Sequence, residues 1–320
     1  GVDALWSPVT GNQFSFRGLG DVAIGRTLQS REQSLGEGRA RWRQTNIVTW
    51  QDAEFKAHRH DMPVLPETGH QARRHDLTGH YLAGWQGARW DAKGGLVWQG
   101  RQHFDGRFYE PEQRDSDQVT GQVEAGWRTG TRSHVAGNFE AGELRYRHSD
   151  QYPDGKLARA LGSWRFGTGE RSTLDVRAGA VAWRFASPWN SNASDDEGTR
   201  YLEPEAAADF EWRWIDDDHN RLLAGVAWSH LPAVEANLAR ALTANALIRT
   251  RAWRTGVIFA GGGWTRTINL DPTTTADPAH NGWSAMLGSD LFLSRGFVLR
   301  AGALFLANRG GVANDYNRVL

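Results

Sequence analysis

Residues Tyr201 to Trp214 read Tyr-Leu-Glu-Pro-Glu-Ala-Ala-Ala-Asp-Phe-Glu-Trp-Arg-Trp. Leu202, Pro204, Ala206, Ala208, Phe210, Trp212 and Trp214 form one row, and Tyr201, Glu203, Glu205, Ala207, Asp209, Glu211 and Arg213 form the other. Successive side chains of a strand point to opposite faces, so this stretch predicts a strand with an apolar face ending in aromatics and an acidic face. Such a strand suits a boundary between lipid and water.

The same alternation recurs from about Phe14 to the C-terminus. Val119, Gly121, Val123, Ala125 and Trp127 oppose Gln118, Thr120, Gln122, Glu124 and Arg128; Phe297, Leu299, Ala301, Ala303 and Phe305 oppose Val298, Arg300 and Gly302. From Leu238 to Ile248 the phase is ambiguous, because Arg240 falls on the apolar row. The links between strands sort into two sizes. Short ones are expected near Gln51-Asp52, Gln86 to Ala88, Thr129 to Thr131, Gly167 to Gly169, Asp216 to Asp218, Arg251-Ala252 and Ser294 to Gly296, with long polar links between them. Alternation of short turns with long loops is the pattern of an up-and-down outer-membrane barrel, whose periplasmic turns are short and external loops long. Trp85, Trp127, Trp164 and Trp214 each precede a short turn, as a periplasmic aromatic girdle requires.

About fifteen strands are expected between Phe14 and Leu306, with Tyr316 to Leu320 starting one more. The fold class is therefore all-β, a transmembrane up-and-down antiparallel β-barrel of about sixteen strands. Residues 1–11 are read as a periplasmic lead-in and 12–320 as the barrel, the C-terminal part of a longer protein.

Composition agrees with this reading. The chain has 320 residues with 16 Trp, 13 Phe and no Cys, and its mean hydropathy is −0.59. Lipid-facing residues diluted one for one by lumen-facing polar ones give a low average together with many aromatics. No apolar run of about 18 residues exists, which excludes a membrane helix. The formal charge is zero, so nucleic acid is not an expected partner. Only Lys56, Lys93 and Lys156 are lysines, so nearly all cations are arginines, which pair bidentately with carboxylates.

The candidate site is the polar face expected to line the lumen. Tyr201, Glu203, Glu205, Asp209 and Glu211 form an acidic track, joined by Glu124, Asp175, Arg128, Arg177, Asp290 and Arg300 as further path residues. The track either binds a cationic or hydroxyl-rich solute, or pairs with arginines of neighbouring strands such as Arg177 and Arg221. No catalytic residues, metal or cofactor are expected. Two acids on one strand face stand about 7 Å apart, a spacing any such strand provides, so glycoside hydrolysis has no support. His58, His60, His70 and His75 lack a visible metal-ligand set, and Ser133 and His134 point to opposite faces with no nucleophile elbow. Gly261 to Gly263 reads as close strand packing. The loop segments Phe108 to Glu112 and Asp195 to Glu197 read as hydrophilic external loops.

In length, strand count, missing start and lumen chemistry the chain resembles the C-terminal barrels of bacterial exopolysaccharide exporters. These are the poly-N-acetylglucosamine export porin, the Pel polysaccharide exporter and the cellulose exporter. The resemblance implies an outer-membrane pore that passes a biofilm polymer outward, with the polysaccharide, the lipid bilayer, a periplasmic tetratricopeptide scaffold and export-complex proteins as partners. It also implies a partly deacetylated, cationic polymer for the acidic track, with Tyr201 stacking on sugar rings. A diffusion porin and a surface-protein assembly barrel are the alternatives.

Overall fold

The structure is a computed structural model. It describes residues 2–9, 12–23, 33–62, 72–104, 115–147, 153–186, 198–215, 219–232, 237–270, 279–294, 297–309 and 316–319. These residues form seventeen strands: β1 (Val2–Val9), β2 (Asn12–Ala23), β3 (Gln33–Thr45), β4 (Thr49–Met62), β5 (Ala72–Gln86), β6 (Trp90–Phe104), β7 (Ser116–Arg128), β8 (Ser133–Tyr146), β9 (Gly155–Gly167), β10 (Ser172–Phe185), β11 (Arg200–Arg213), β12 (Arg221–Pro232), β13 (Leu238–Trp253), β14 (Gly256–Asn269), β15 (Ala279–Ser294), β16 (Phe297–Arg309) and β17 (Tyr316–Val319). In the sheet, β2 to β17 follow in chain order, and neighbours run antiparallel. This is the all-β, up-and-down antiparallel class that the alternation predicts. Where a lead-in over residues 1–11 is expected, Val2–Val9 is itself a strand, paired with β2 from Val2↔Gly18 to Val9↔Asn12.

The first short link also differs from expectation. It lies at residues 46–48, not at Gln51-Asp52, which continue β4 opposite Gln44 and Arg43. Asn46 closes this turn: its N–H donates to the Thr49 carbonyl at 2.8 Å and its amide to Thr49 Oγ1 at 3.3 Å. Similarly, β13 continues through Arg251 and Ala252 to Trp253. A turn-like dipeptide loses to the ladder when the pairing beyond it is good.

The chain divides into two compact units, 1–128 with 136–161 and 180–203, and 129–135 with 162–179 and 204–320. Strands β8 to β11 pass from one to the other. In the first unit, alternation leaves Phe55, Tyr81, Trp85, Trp90, Leu96, Val123 and Trp127 exposed on one face, while Asp52, Glu54 and Thr120 are buried on the other. The second unit repeats the inversion: Leu202's strand continues into exposed Trp212, and Val226, Trp228, Ile258, Leu287 and Leu299 are exposed, while Glu205 and Asp290 are buried. Large apolar surface facing outward with carboxylates buried is the reverse of a water-soluble sheet.

The short-link end concentrates aromatics. Trp90 and Trp127 stack at 5.5 Å between centroids, and Trp212 and Trp214 lie 5.7 Å apart. Trp164 Nε1 donates to Ser133 Oγ at 2.9 Å, so its polar edge is satisfied while its ring stays half exposed. Glycine seats some of these rings: a Cβ on Gly84 would lie 2.5 Å from the Trp50 indole.

Candidate functional site on the polar face

The register of the hairpins places acids and cations side by side on the polar face. On β3 and β4, Arg39 Nε donates to Glu54 Oε2 at 2.7 Å and Arg41 Nε to Asp52 Oδ1 at 2.9 Å. Lys56 Nζ lies 2.7 Å from the second Glu54 oxygen, and His80 Nε2 on β5 is 3.9 Å from Asp52. The Glu54 side chain is only 3% exposed, so this group is a closed charge network and not an open binding surface. Sequence reading missed it. Alternating Arg39, Arg41 and Arg43 opposite Asp52, Glu54 and Lys56 was the available signal, but it becomes readable only once the turn is placed at residues 46–48.

The expected path residues divide by partner. Lys93 and Glu124 sit directly opposite each other across β6 and β7, with Nζ 3.0 Å from Oε2. Arg128 lies at the end of β7, its backbone N–H donating to the Arg89 carbonyl at 2.7 Å and its side chain exposed. In the second unit a ladder crosses three strands: Arg165 on β9 holds Asp175 on β10 at 2.7 Å, Arg177 lies 3.7 Å from Asp175, and Arg177 pairs in turn with Asp209 on β11. Glu211 accepts from Arg213 at 2.7 Å and stands 3.9 Å from Arg221. Arg177 and Arg221, the neighbouring-strand arginines that the sequence offers as partners, both stand beside the track, though Arg213 of the track's own strand is nearer to Glu211 than Arg221 is.

Glu205 is buried, and its Oε1 accepts the His230 backbone N–H at 2.9 Å with the imidazole Nδ1 3.7 Å away. Pro204 next to it has no N–H to give the ladder, and the regular β11 to β12 pairing begins only at Ala206↔Trp228. The carboxylate of Glu205 thus takes up a backbone donor where the ladder stops. Glu203 is engaged as well. Tyr201 does not present an open ring: it meets Phe185 edge-on at 6.0 Å, beside a Trp183–Phe185 stack at 5.4 Å, and both partners are buried. Asp290, 1% exposed, accepts from Arg249 Nη2 at 2.9 Å. Arg300 pairs with Asp290 in backbone register, and its side chain lies outside the described residues.

Arg240, whose place on the apolar row left the phase of β13 ambiguous, lies over the Trp228 ring at 5.5 Å. A guanidinium on an aromatic face keeps its charge beside an otherwise apolar row. Among the described residues no group of three His, Cys, Asp or Glu could hold a metal. His70, the side chain of His60, and the segments Phe108 to Glu112 and Asp195 to Glu197 lie outside the described residues.

No known protein family and no characterised protein matches this sequence. Among solved structures the chain is similar to the ferric yersiniabactin uptake receptor FyuA of Yersinia pestis, with a TM-score of 0.47 and 10% identity, over 96% of this chain and 58% of that one. It is also similar to the open form of the ferric-catecholate import receptor Fiu of E. coli K12, with a TM-score of 0.48 and 6% identity, over 97% and 62%. The chain spans about three fifths of the length of these two.

Proposed function

We propose that this chain is an outer-membrane β-barrel that conducts a hydroxyl-rich solute, an exported polysaccharide, through a lumen lined by mutually neutralised charges. The observation that carries the reading is the inversion of the two faces: Leu287 is 64% exposed while Asp290, three residues on, is 1% exposed. Lipid on the apolar side accounts for the first, and a polar interior for the second. Strand length fits. The 14 residues of β11 rise about 46 Å, and at a tilt of about 40° they reach through about 35 Å, enough for the apolar band and both interfaces.

The charge ladders favour a neutral cargo over a cationic one. Asp175, Asp209 and Glu211 each stand beside a guanidinium, so the track has little free acid to attract a cationic polymer. Paired Arg and carboxylate groups still offer hydrogen bonds to hydroxyls, each weak enough for the solute to leave as readily as it enters. In planar bilayers the purified chain is expected to conduct, and a neutral polysaccharide added to one side is expected to reduce the current. In its host, loss of the chain should abolish secretion of the polymer. A chain that conducts and whose loss leaves secretion untouched is a diffusion porin; one that neither conducts nor inserts refutes the membrane reading itself.

A further inference from the structure

Four charged residues stand on the otherwise apolar row at the long-link ends of β8 to β10. On β8 the row runs Phe139, Ala141, Glu143, Arg145; on β9 it runs upward from Ala160 and Ala158 to Lys156; on β10 it runs Ala180, Ala182, Arg184. Toward the middle of these strands the row is alanine and phenylalanine, and the change to charge is abrupt. The four charged residues share one cavity of about 520 Å³. Glu143 holds two of the cations, Arg145 Nη2 at 2.8 Å and Lys156 Nζ at 3.5 Å. Arg145 and Lys156 are nonetheless 72% and 73% exposed, and Arg184 is exposed and makes no ion pair among the described residues. The other acid of the cavity, Asp154, accepts the Tyr146 N–H at 2.8 Å and so serves the backbone.

Cations on a lipid-facing row are costly in hydrocarbon and favourable where anionic headgroups begin. The geometry points to Arg145, Lys156 and Arg184 as a binding site for the phosphorylated headgroup of an outer-leaflet glycolipid. The three cations converge on one concavity from three strands, as a phosphate with several acceptor oxygens requires, and Glu143 orients two of them. The alanines below leave the row flat, so acyl chains can lie against it. The inference rests on the outer-membrane reading, with the long links on the outer side.

The test uses the full chain in lipid nanodiscs with bisphosphorylated lipid A as the probe, read by native mass spectrometry. Wild type is expected to retain bound lipid A. The triple variant Arg145→Ser, Lys156→Ser, Arg184→Ser is expected to bind it at least about tenfold more weakly, the size set by removing several cations from an anionic lipid surface. A charge-keeping variant, Arg145→Lys with Arg184→Lys, should retain most of the binding and shows that loss in the first variant is not misfolding. Equal binding by the triple variant and wild type overturns the inference. So does inorganic phosphate or phosphatidylglycerol competing as well as lipid A, since the site would then read phosphate alone. Protease cleavage of the long links on intact cells keeps the two levels apart. Cleavage with unchanged lipid A binding sinks only this inference, whereas absence of cleavage sinks the orientation and the inference with it.

Discussion

The hairpin of β3 and β4 and the ladder across β9 to β11 use the same chemistry to opposite ends. In the hairpin, Arg39, Arg41 and Lys56 surround Asp52 and Glu54, whose side chains are nearly inaccessible. In the ladder, Arg177 and Asp209 remain 45% and 53% exposed although they pair. An inaccessible pair cannot trade its partner for a solute, and removing one member strands a charge. An exposed pair adds little to stability and remains available to a passing hydroxyl. The polar face therefore holds a buried, structural region and an exposed region on which the proposed conduction would depend, distinguished by burial rather than by residue type.

Breaking the buried side of the comparison should have the largest effect. Replacing Glu54 with Gln removes the carboxylate charge shared by Arg39 and Lys56, turns one of its two acceptor oxygens into a donor, and should destabilise the protein by about 3 kcal/mol, measured by urea unfolding in lipid vesicles. A change below about 1 kcal/mol would put the network in the same class as the exposed ladder. Trp127→Ala removes the partner of Trp90 at the short-link end and should lose about 1 kcal/mol in the same assay, with conductance unchanged. The smallest stability effect is expected from Asp209→Asn, below about 1 kcal/mol. That variant removes one carboxylate and leaves Arg177 only its 3.7 Å contact with Asp175, so reversal potentials under a salt gradient should shift toward anion preference. The analogous Glu54→Gln change should leave selectivity where it was, and equal shifts in both variants would erase the distinction.

Much of this was legible in the chain. Alternation along Tyr201 to Trp214 gave the two faces directly, and tryptophans before short links marked one end of the strands, because a period of two needs no knowledge of neighbours. What required the structure was register. Moving the first turn from Gln51-Asp52 to residues 46–48 decides which acids meet Arg39 and Arg41, and one slipped residue reverses every face. The acidic track shows the same limit. Glu203, Glu205, Asp209 and Glu211 look like one binding strip in sequence, yet Glu205 is buried against His230 and Asp209 is shared with Arg177. On β10 the polar row of Asp175 and Arg177 turns into Val181, Trp183 and Phe185, all buried. Its opposite row of Val176, Ala178, Ala180 and Ala182 is apolar too, so periodicity alone had no contrast there.

The proposed barrel puts lipid on one face of these strands and water on the other. The chain contains no cysteine, so single cysteines at successive positions from Leu202 to Trp212 can carry spin labels in lipid vesicles. Collision rates with oxygen, which concentrates in lipid, and with a water-soluble nickel chelate then read each side chain's surroundings. Oxygen is expected to dominate at Leu202, Ala206, Ala208 and Trp212 and nickel at Glu203, Asp209 and Glu211, alternating with a period of two. The same accessibility at all positions, or nickel dominating on both rows, would contradict the proposed barrel.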